Sequence, residues 1–537
     1  MEVGQAFQTF VTTLEKRQVE YDLGSENIIK DQGAIKNGQF VIGKAAYSTV
    51  VLPPLMETLN KPTFELLQKF VQQGGKVVRF SSPNRIDGAE NGELAKVLSA
   101  QSVISYDQLN EKVIQDAFPP KDCKFSFKGG DLFHQRRKFA DGELLFLVNS
   151  SMTESVEGTI ATVGKSAIRL DAMEGKIYSY PSVVDNGLLH TDFHLEPAGS
   201  LLLYYSNHIL KGYPEAPAIA GNTKLAASKS VEVKRLKENA LNIDFCDVSV
   251  KGKTQKNIYF AQAADMVFKE YGFTNGNPWN TSVQYKRNIL DRDTFKTGGF
   301  VATYHFNVND KFDYSTMKLV AERPEFFSVK VNGQQVQAIP CEWWLDRSFG
   351  VYAIGNMVKQ GTNTVEMSVT PMSIFAEIEP IYVIGDFAVV PENKGWSISA
   401  PVEKLTLGSW KKQKQPFYSW DVSYTKEYDV KDTSKSYTIQ LNAWNGTVTE
   451  VYVNGEKAGI IGFDPYRLNI ASYLKPGKNQ VEVRVIGSHK NLLGPHYNNP
   501  NPGLASPWHW KNIRKQIPGS DYQMLDYGLM EDFDLVY

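Results

Sequence analysis

The sequence predicts a multidomain protein that begins as an open parallel α/β sheet and continues as antiparallel β-sandwiches. Three observations predict it. From residue 3 to about 117, helical and strand periodicities alternate, as in a parallel sheet covered by helices. From about 119 to 210, short alternating strands are separated by turn signals every 8 to 15 residues, as in an antiparallel sandwich. Beyond residue 240 one strand-and-turn pattern occurs twice, which implies two copies of a single β-domain.

Size and composition agree with this plan. The 537 residues suffice for three or four domains at roughly 150 residues each. Hydrophobic residues make up 42% and charged residues 22%, the mixture of a chain that buries real cores. With 58 Lys+Arg against 59 Asp+Glu, the net charge of -1 gives no global field for nucleic acid or an anionic membrane, so neither is an expected partner. No apolar run approaches the roughly 20 residues that span a bilayer. Cys123, Cys246 and Cys341 form no CxxC pair, and no zinc knuckle or disulfide framework is indicated.

Taken in order, the first element is a helix over Gly4–Arg17, in which Phe7, Phe10, Val11 and Leu14 fall at helical spacing. Strands follow at Val19–Leu23 and Ser48–Pro53. A helix over Thr63–Gln73 is closed by Gly74-Gly75, which hands the chain to a buried strand over Lys76–Ser81, with another at Val103–Tyr106. A doubly wound unit opens on a strand, and this one opens on a helix. We therefore expect about four parallel strands in a domain incomplete at its N-terminus. The sandwich strands are Lys124–Lys128, Arg136–Phe139, Leu144–Asn149, Gly158–Thr162, Ala167–Leu170 and Ser200–Tyr205. Pro214, Pro217 and the small residues after them mark residues 211 to 240 as a linker or extended edge.

The repeat is the strongest internal signal. Val329-Lys330-Val331-Asn332-Gly333 leads to Gly361-Thr362-Asn363-Thr364-Val365, and Val451-Tyr452-Val453-Asn454-Gly455 leads to Gly477-Lys478-Asn479-Gln480-Val481. Each Asn-Gly predicts a tight hairpin, because both residues tolerate positive φ. The first copy has 31 residues from Asn332 to Asn363 and the second has 25 from Asn454 to Asn479, so a six-residue insertion is expected, placed in the Trp343-Trp344 loop.

This V-x-V-N-G hairpin with its G-x-N-x-V strand resembles the galactose-binding-like jelly rolls attached to glycoside hydrolases. Tyr47–Pro54 with Gly74-Gly75-Lys76-Val77 is similar to the amidotransferase-like α/β domain beside some glycosidase barrels. His134–Arg137 through Asn149-Ser150-Ser151, with Leu170-Asp171, is similar to the small β-domain after it. Together with Leu407–Trp410, Pro416–Ser419 and Asn491–His496, most of the chain resembles the C-terminal half of bacterial α-L-rhamnosidases of glycoside hydrolase family 106. The resemblance implies a truncated flavodoxin-like, amidotransferase-like domain over 1–118 and a small sandwich over 119–210. It also implies a jelly roll with an insertion over 211–395 and a second jelly roll over 396–537. Such enzymes carry their carboxylates on a (β/α)₈ barrel of about 250 residues. No stretch here can form one, so the resemblance implies a non-catalytic, carbohydrate-associated region with a missing N-terminal catalytic barrel as partner and a periplasmic or extracellular setting. No catalytic residue carries over.

Candidate ligand contacts come from aromatic and amide-rich loops, since sugars are held by hydrogen bonds and by stacking of their C–H faces on rings. In the last domain these are His489, Asn491, His496, Trp508 and Trp510, and in the first copy Trp279, Trp343 and Trp344. The alternative for each Trp is a pin that fixes a loop to the sandwich. Trp444, with alternating apolar neighbours, is expected in a core. Carboxylates cluster at Glu322 and Glu325 and at Glu377 and Glu379, where strand alternation suggests a solvated face or local ion pairing, not a pair opposed across a cleft. The two histidines lack the spacing of a metal motif, and no cofactor motif appears: G-x-G-x-x-G, G-K-[ST] and G-x-S-x-G are all absent. A complete glycosidase with its site between the jelly rolls, or a pure scaffold, are the competing readings.

Overall fold

The computed structural model describes residues 2–104, 110–119, 122–216, 221–280, 282, 284–497 and 515–537. The chain divides into two units, residues 1–217 with 463–465 and residues 218–462 with 466–537.

In the first unit the opening helix, Glu2–Lys16, buries Phe10 and Leu14 with Val78, Phe80 and Ile114, the i, i+4 pair forming its inner face. The helix Lys61–Gln72 ends as Gly74-Gly75 predicts: the Gly75 N–H donates to Phe70 O, the Gly74 N–H donates to Val71 O, and Gly74 takes φ +82°. The parallel sheet is smaller than expected. Thr49–Leu52 pairs in parallel with Lys76–Arg79, to which Val103 adds one bridge, and Thr58–Leu59 pairs in parallel with Arg85–Ile86, so the four parallel strands among the described residues are split between two small sheets. An antiparallel meander of Gly33–Lys36, Gln39–Ile42 and Ala45–Tyr47 precedes it. Val19–Leu23 forms no strand. Side chains hold this stretch instead: Gln18 donates to Leu132 O at 2.7 Å, and Glu20 pairs with Arg136 at 2.6 Å.

Antiparallel strands follow in two sheets. One runs Leu132–Lys138, Gly142–Asn149, Ser200–Ser206, Ser166–Asp171, Lys176–Tyr180; the other runs Val183–Asp185, Leu188–Leu195, Val156–Thr162, Cys123–Gly129. Alternation puts Leu145, Leu147, Ile160, Phe193 and Leu203 between them.

The second unit holds both repeats, and their sheets have the same strand order. In the first copy one sheet runs Asn239–Ile243, Ile381–Gly385, Lys318–Glu322, Asp346–Ala353; in the second the corresponding sheet runs Lys224–Leu225, Asp534–Val536, Thr438–Gln440, Arg467–Asn469. The facing sheets contain Phe245–Val250, Phe300–Val308, Gly361–Val369, Ser328–Val331 in one copy and Glu232–Arg235, Asp421–Val430, Gly477–Ile486, Val448–Val453 in the other. Residues 224–235 therefore pair with the last repeat, whereas a boundary at 211 would place them with the first. The first copy is nested inside the second. Asn332-Gly333 and Asn454-Gly455 both form hairpin turns with positive φ, as expected. The Ile354 N–H donates to Met317 O and the Ile470 N–H to Tyr437 O at equivalent points, which places the six extra residues between Gly333 and Ala353, where the short strand Trp343–Trp344 is added.

Candidate functional site

A cavity of about 260 Å³ opens at one end of the first repeat. Paired strands set its walls: Glu322, which ends Lys318–Glu322, lies opposite Phe349 of Asp346–Ala353, and Tyr382 lies opposite Val320. The helix Phe260–Glu270 adds Phe260 and Asp265, and Leu493 comes from the second repeat. Residues 374–380 are irregular, not a strand, and they carry Glu379 into the cavity while its carbonyl accepts from the Tyr304 hydroxyl at 2.6 Å.

Asn277 ties this acidic floor together. Its N–H donates to Asp265 Oδ1 at 2.7 Å and its side-chain amide donates to Glu377 Oε2 at 2.6 Å. Gly276 before it takes φ +83°, and a Cβ there would meet Asp265 Oδ1 at 2.2 Å, so the turn requires glycine. Burial raises all three glutamates above the ordinary carboxylate range. For Glu379 the rise is large and is reinforced by Glu377 and Glu322; for Glu377 the Asn277 bond opposes it, and for Glu322 the nearby Arg323 does. Carboxyl acceptors, amides from Asn277 and Asn280, and the rings of Phe260, Phe349 and Tyr382 are the chemistry of a polyhydroxylated ligand.

The residues predicted from sequence divide sharply. Trp344 packs behind the cavity wall, with ring centres 5.2 Å from Tyr382, 6.4 Å from Phe349 and 6.2 Å from Trp420. Trp420 in turn meets His489 at 5.1 Å, so candidates from different repeats share one aromatic cluster. Trp279 is half-buried: its Nε1–H donates to Ile374 O at 2.9 Å and its ring packs on Phe375, bracing the loop that holds Asn277. Trp343 is 54% exposed and does not line the cavity.

Asn491 and His496, expected as ligand contacts, are both buried. Asn491 is 2% exposed, with its amide donating to Leu525 O and its oxygen accepting from the Leu525 N–H, both at 2.8 Å. His496, equally enclosed, places Nε2 2.8 Å from Asn491 O and Nδ1 4.0 Å from Asp244. Both side chains are enclosed and bonded to backbone of the protein itself. Trp508 and Trp510 lie outside the described residues. Trp444 sits at the edge of the core of the second repeat: it is half-buried, packs on Tyr466 and lines a second groove with Thr447, Asp526 and Tyr527.

From the sequence, Glu322, Glu377 and Glu379 are expected on a solvated strand face or in local ion pairs, and only Glu322 has such a pair, with Arg323, among the described residues. The usable signal was Pro380 after Ala376-Glu377-Ile378-Glu379, which argues for irregular backbone, together with the Asn277-Pro278-Trp279-Asn280 turn that supplies their partner.

No family model matches the chain, and no curated protein does. Among solved structures it is similar to a rhamnosidase from Novosphingobium sp. PP1Y, with 15% identity, 96% of this chain and 36% of that chain covered, and a TM-score of 0.46. It is also similar to a β-D-mannosidase from Dictyoglomus thermophilum, with 10% identity over 47% of this chain and 31% of that one and a TM-score of 0.20. A β-glucuronidase from Ruminococcus gnavus has 12% identity over 49% and 41%, with a TM-score of 0.18. The chain spans about a third of the length of the rhamnosidase.

Proposed function

We propose that this chain is a non-catalytic, carbohydrate-binding region of a glycoside hydrolase, and that the cavity of the first repeat is its saccharide seat. One observation carries the reading: Glu322, Glu379, Asp265, Asn277 and Asn280 converge on a cavity walled by Phe260, Phe349 and Tyr382. The motif resemblance extends it to the C-terminal part of a family 106 α-L-rhamnosidase, with an amidotransferase-like domain to residue 118, a small sandwich to 210 and two galactose-binding-like jelly rolls. In that setting the chain binds glycan beside a catalytic barrel.

A glycan array run on the full chain, followed by titration of the best ligand against Glu322→Gln and Phe349→Ala, tests the seat. Weaker binding by about tenfold in each variant is expected, on the order of one lost aromatic or charge-assisted contact. Binding untouched by both variants sinks it.

One observation favours a second reading, that of an enzyme. Glu379 and Glu322 are both held toward their protonated forms in one cavity, and a general acid for glycoside hydrolysis must keep its proton near neutral pH. Turnover of aryl glycosides that disappears in Glu379→Gln would establish that reading in place of the first.

A further inference from the structure

The charge balance of the cavity is one-sided. Asp265, Glu322 and Glu379 line it, Glu377 stands beside them on Asn277, and no Lys, Arg or His is among the lining residues. Arg323 holds its Nε 3.9 Å from Glu322 and lies 5.5 Å over the Phe375 ring, while Asp346 and Glu325 add further negative charge around Glu322. Asp265 is held by the Asn277 N–H and Glu377 by the Asn277 amide. Glu379 is different. It is half-buried on the cavity wall, and its carboxyl has no hydrogen-bond or ion-pair partner among the described residues.

We propose that this cavity selects a saccharide bearing a protonated amine, an amino sugar with a free ammonium group, over its neutral and N-acylated counterparts. The proposal rests on the reading of the cavity as a saccharide seat. A neutral sugar offers hydroxyl donors to these carboxyls but no charge, so it leaves Glu379 protonated and gains no ionic contact. An ammonium group supplies three donors and the missing charge at once. Phe260, Phe349 and Tyr382 present ring faces or edges around the same space, and faces attract a desolvated cation. The volume, just under the roughly 300–1,000 Å³ of ligand pockets, restricts the occupant to a single sugar ring.

Burial, with Glu377 and Glu322 nearby, keeps the Glu379 carboxyl protonated well above the ordinary range. An incoming ammonium group reverses that preference, so uptake releases a proton and affinity rises with pH as Glu379 ionises.

Isothermal titration of the full chain with methyl glucosaminide, methyl N-acetylglucosaminide and methyl glucoside at pH 7 tests this. The free amine is expected to bind at least tenfold tighter than the other two, with an advantage that shrinks in high salt. Glu379→Gln and Glu322→Gln, each confirmed folded by its melting curve, should bring the three ligands within threefold of one another. Neutral sugars that bind as tightly as the amine overturn the selectivity and leave the saccharide seat standing. A wild type that binds none of the three at 10 mM, a roughly 3 kcal/mol floor, overturns the seat and the selectivity together.

Discussion

The side-chain amide of Asn332 donates to Oδ1 of Asn363 at 2.8 Å, locking a hairpin tip to the first turn of a strand 31 residues later. Asn454 and Asn479 repeat the bond at 2.9 Å, 25 residues apart. The surroundings repeat as well. Asn363 accepts from the Lys359 N–H and donates to the carbonyls of Lys359 and Gly361, while Asn479 does the same with Lys475 and Gly477. Both amides are buried, so each fixes a loop that would otherwise leave backbone groups unpaired.

Asn363→Ala should therefore cost about 2–4 kcal/mol, because it strands several buried partners at once. Asn363→Asp should be nearly as harmful, since it keeps the acceptor and loses both donors. Hydrogen exchange at the amides of Lys359 and Thr364, which bond to Asn363 and Asn332, reads the effect locally. Protection unchanged at both positions would mean that the clamp contributes nothing.

These asparagines show what was legible in the sequence. The V-x-V-N-G and G-x-N pattern located both hairpins because a type-specific turn needs Asn-Gly, a purely local requirement. The nesting was not legible. Lys224–Leu225 and Glu232–Arg235 are short edge strands whose partners lie about 190 to 310 residues away, and proline-flanked edge segments look like linkers. The same limit hid the site. Glu379 is separated from Asp265 by more than 100 residues, and only the packing of the loop before Ile381–Gly385 against the helix Phe260–Glu270 brings them to one cavity. His489 and Asn491 are two residues apart, yet one meets an aromatic cluster and the other is spent on Leu525, a distinction that residue type does not encode.

In the first unit, Arg136 joins Glu20, Asp122 and Glu143, with Glu143 itself buried against Thr162. Arg136→Met should destabilise this unit by about 3–5 kcal/mol, as it leaves the Glu143 carboxylate enclosed without its cation. Burial alone would raise the Glu20 carboxyl, but hydrogen bonds from Arg136 and His134 prevail and lower it to about 2. A depressed carboxyl contributes stability above its unfolded value near 4.5 and loses it as pH falls toward 2. Glu20→Gln should thus weaken the unit at pH 7 and flatten its acid dependence, measured by urea titration from pH 7 to pH 2.5. A wild-type slope retained by the variant would assign the acid loss elsewhere.

Asp244 and His496 should oppose each other in pH dependence. Burial pushes the Asp244 carboxyl up to about 7 from 3.8 and pulls the His496 imidazole down to about 4 from 6.5. As pH rises from 4 to 7, folded Asp244 keeps a proton that the unfolded chain has released, so its contribution falls. Across 4 to 6.5, the unfolded chain releases a proton that folded His496 never held, so its contribution rises. Each slope is about 1.4 kcal/mol per pH unit at most, and the two nearly cancel. Asp244→Asn should leave stability rising with pH over this range, and His496→Gln should leave it falling. Denaturant midpoints at pH 4.5, 5.5 and 6.5 read both signs, and parallel curves for the two variants would rule out the opposed pair.

The two adjacent indoles, Trp343 and Trp344, separate a surface ligand platform from a cavity site. Trp343 is largely exposed and contributes nothing to the cavity lining, so Trp343→Ala should change stability by less than about 0.5 kcal/mol and leave saccharide affinity intact. Trp344 supports Tyr382 and Phe349 from behind, so Trp344→Ala should cost about 2–4 kcal/mol and also weaken binding, because both cavity rings lose the surface that holds them in place. Trp344→Phe, which refills most of the space, should recover stability and part of the affinity. Melting curves beside calorimetric titrations give all six values. If Trp343→Ala weakens saccharide binding at unchanged stability while Trp344→Ala spares it, the ligand sits on the outer face of this hairpin and the cavity loses its assignment.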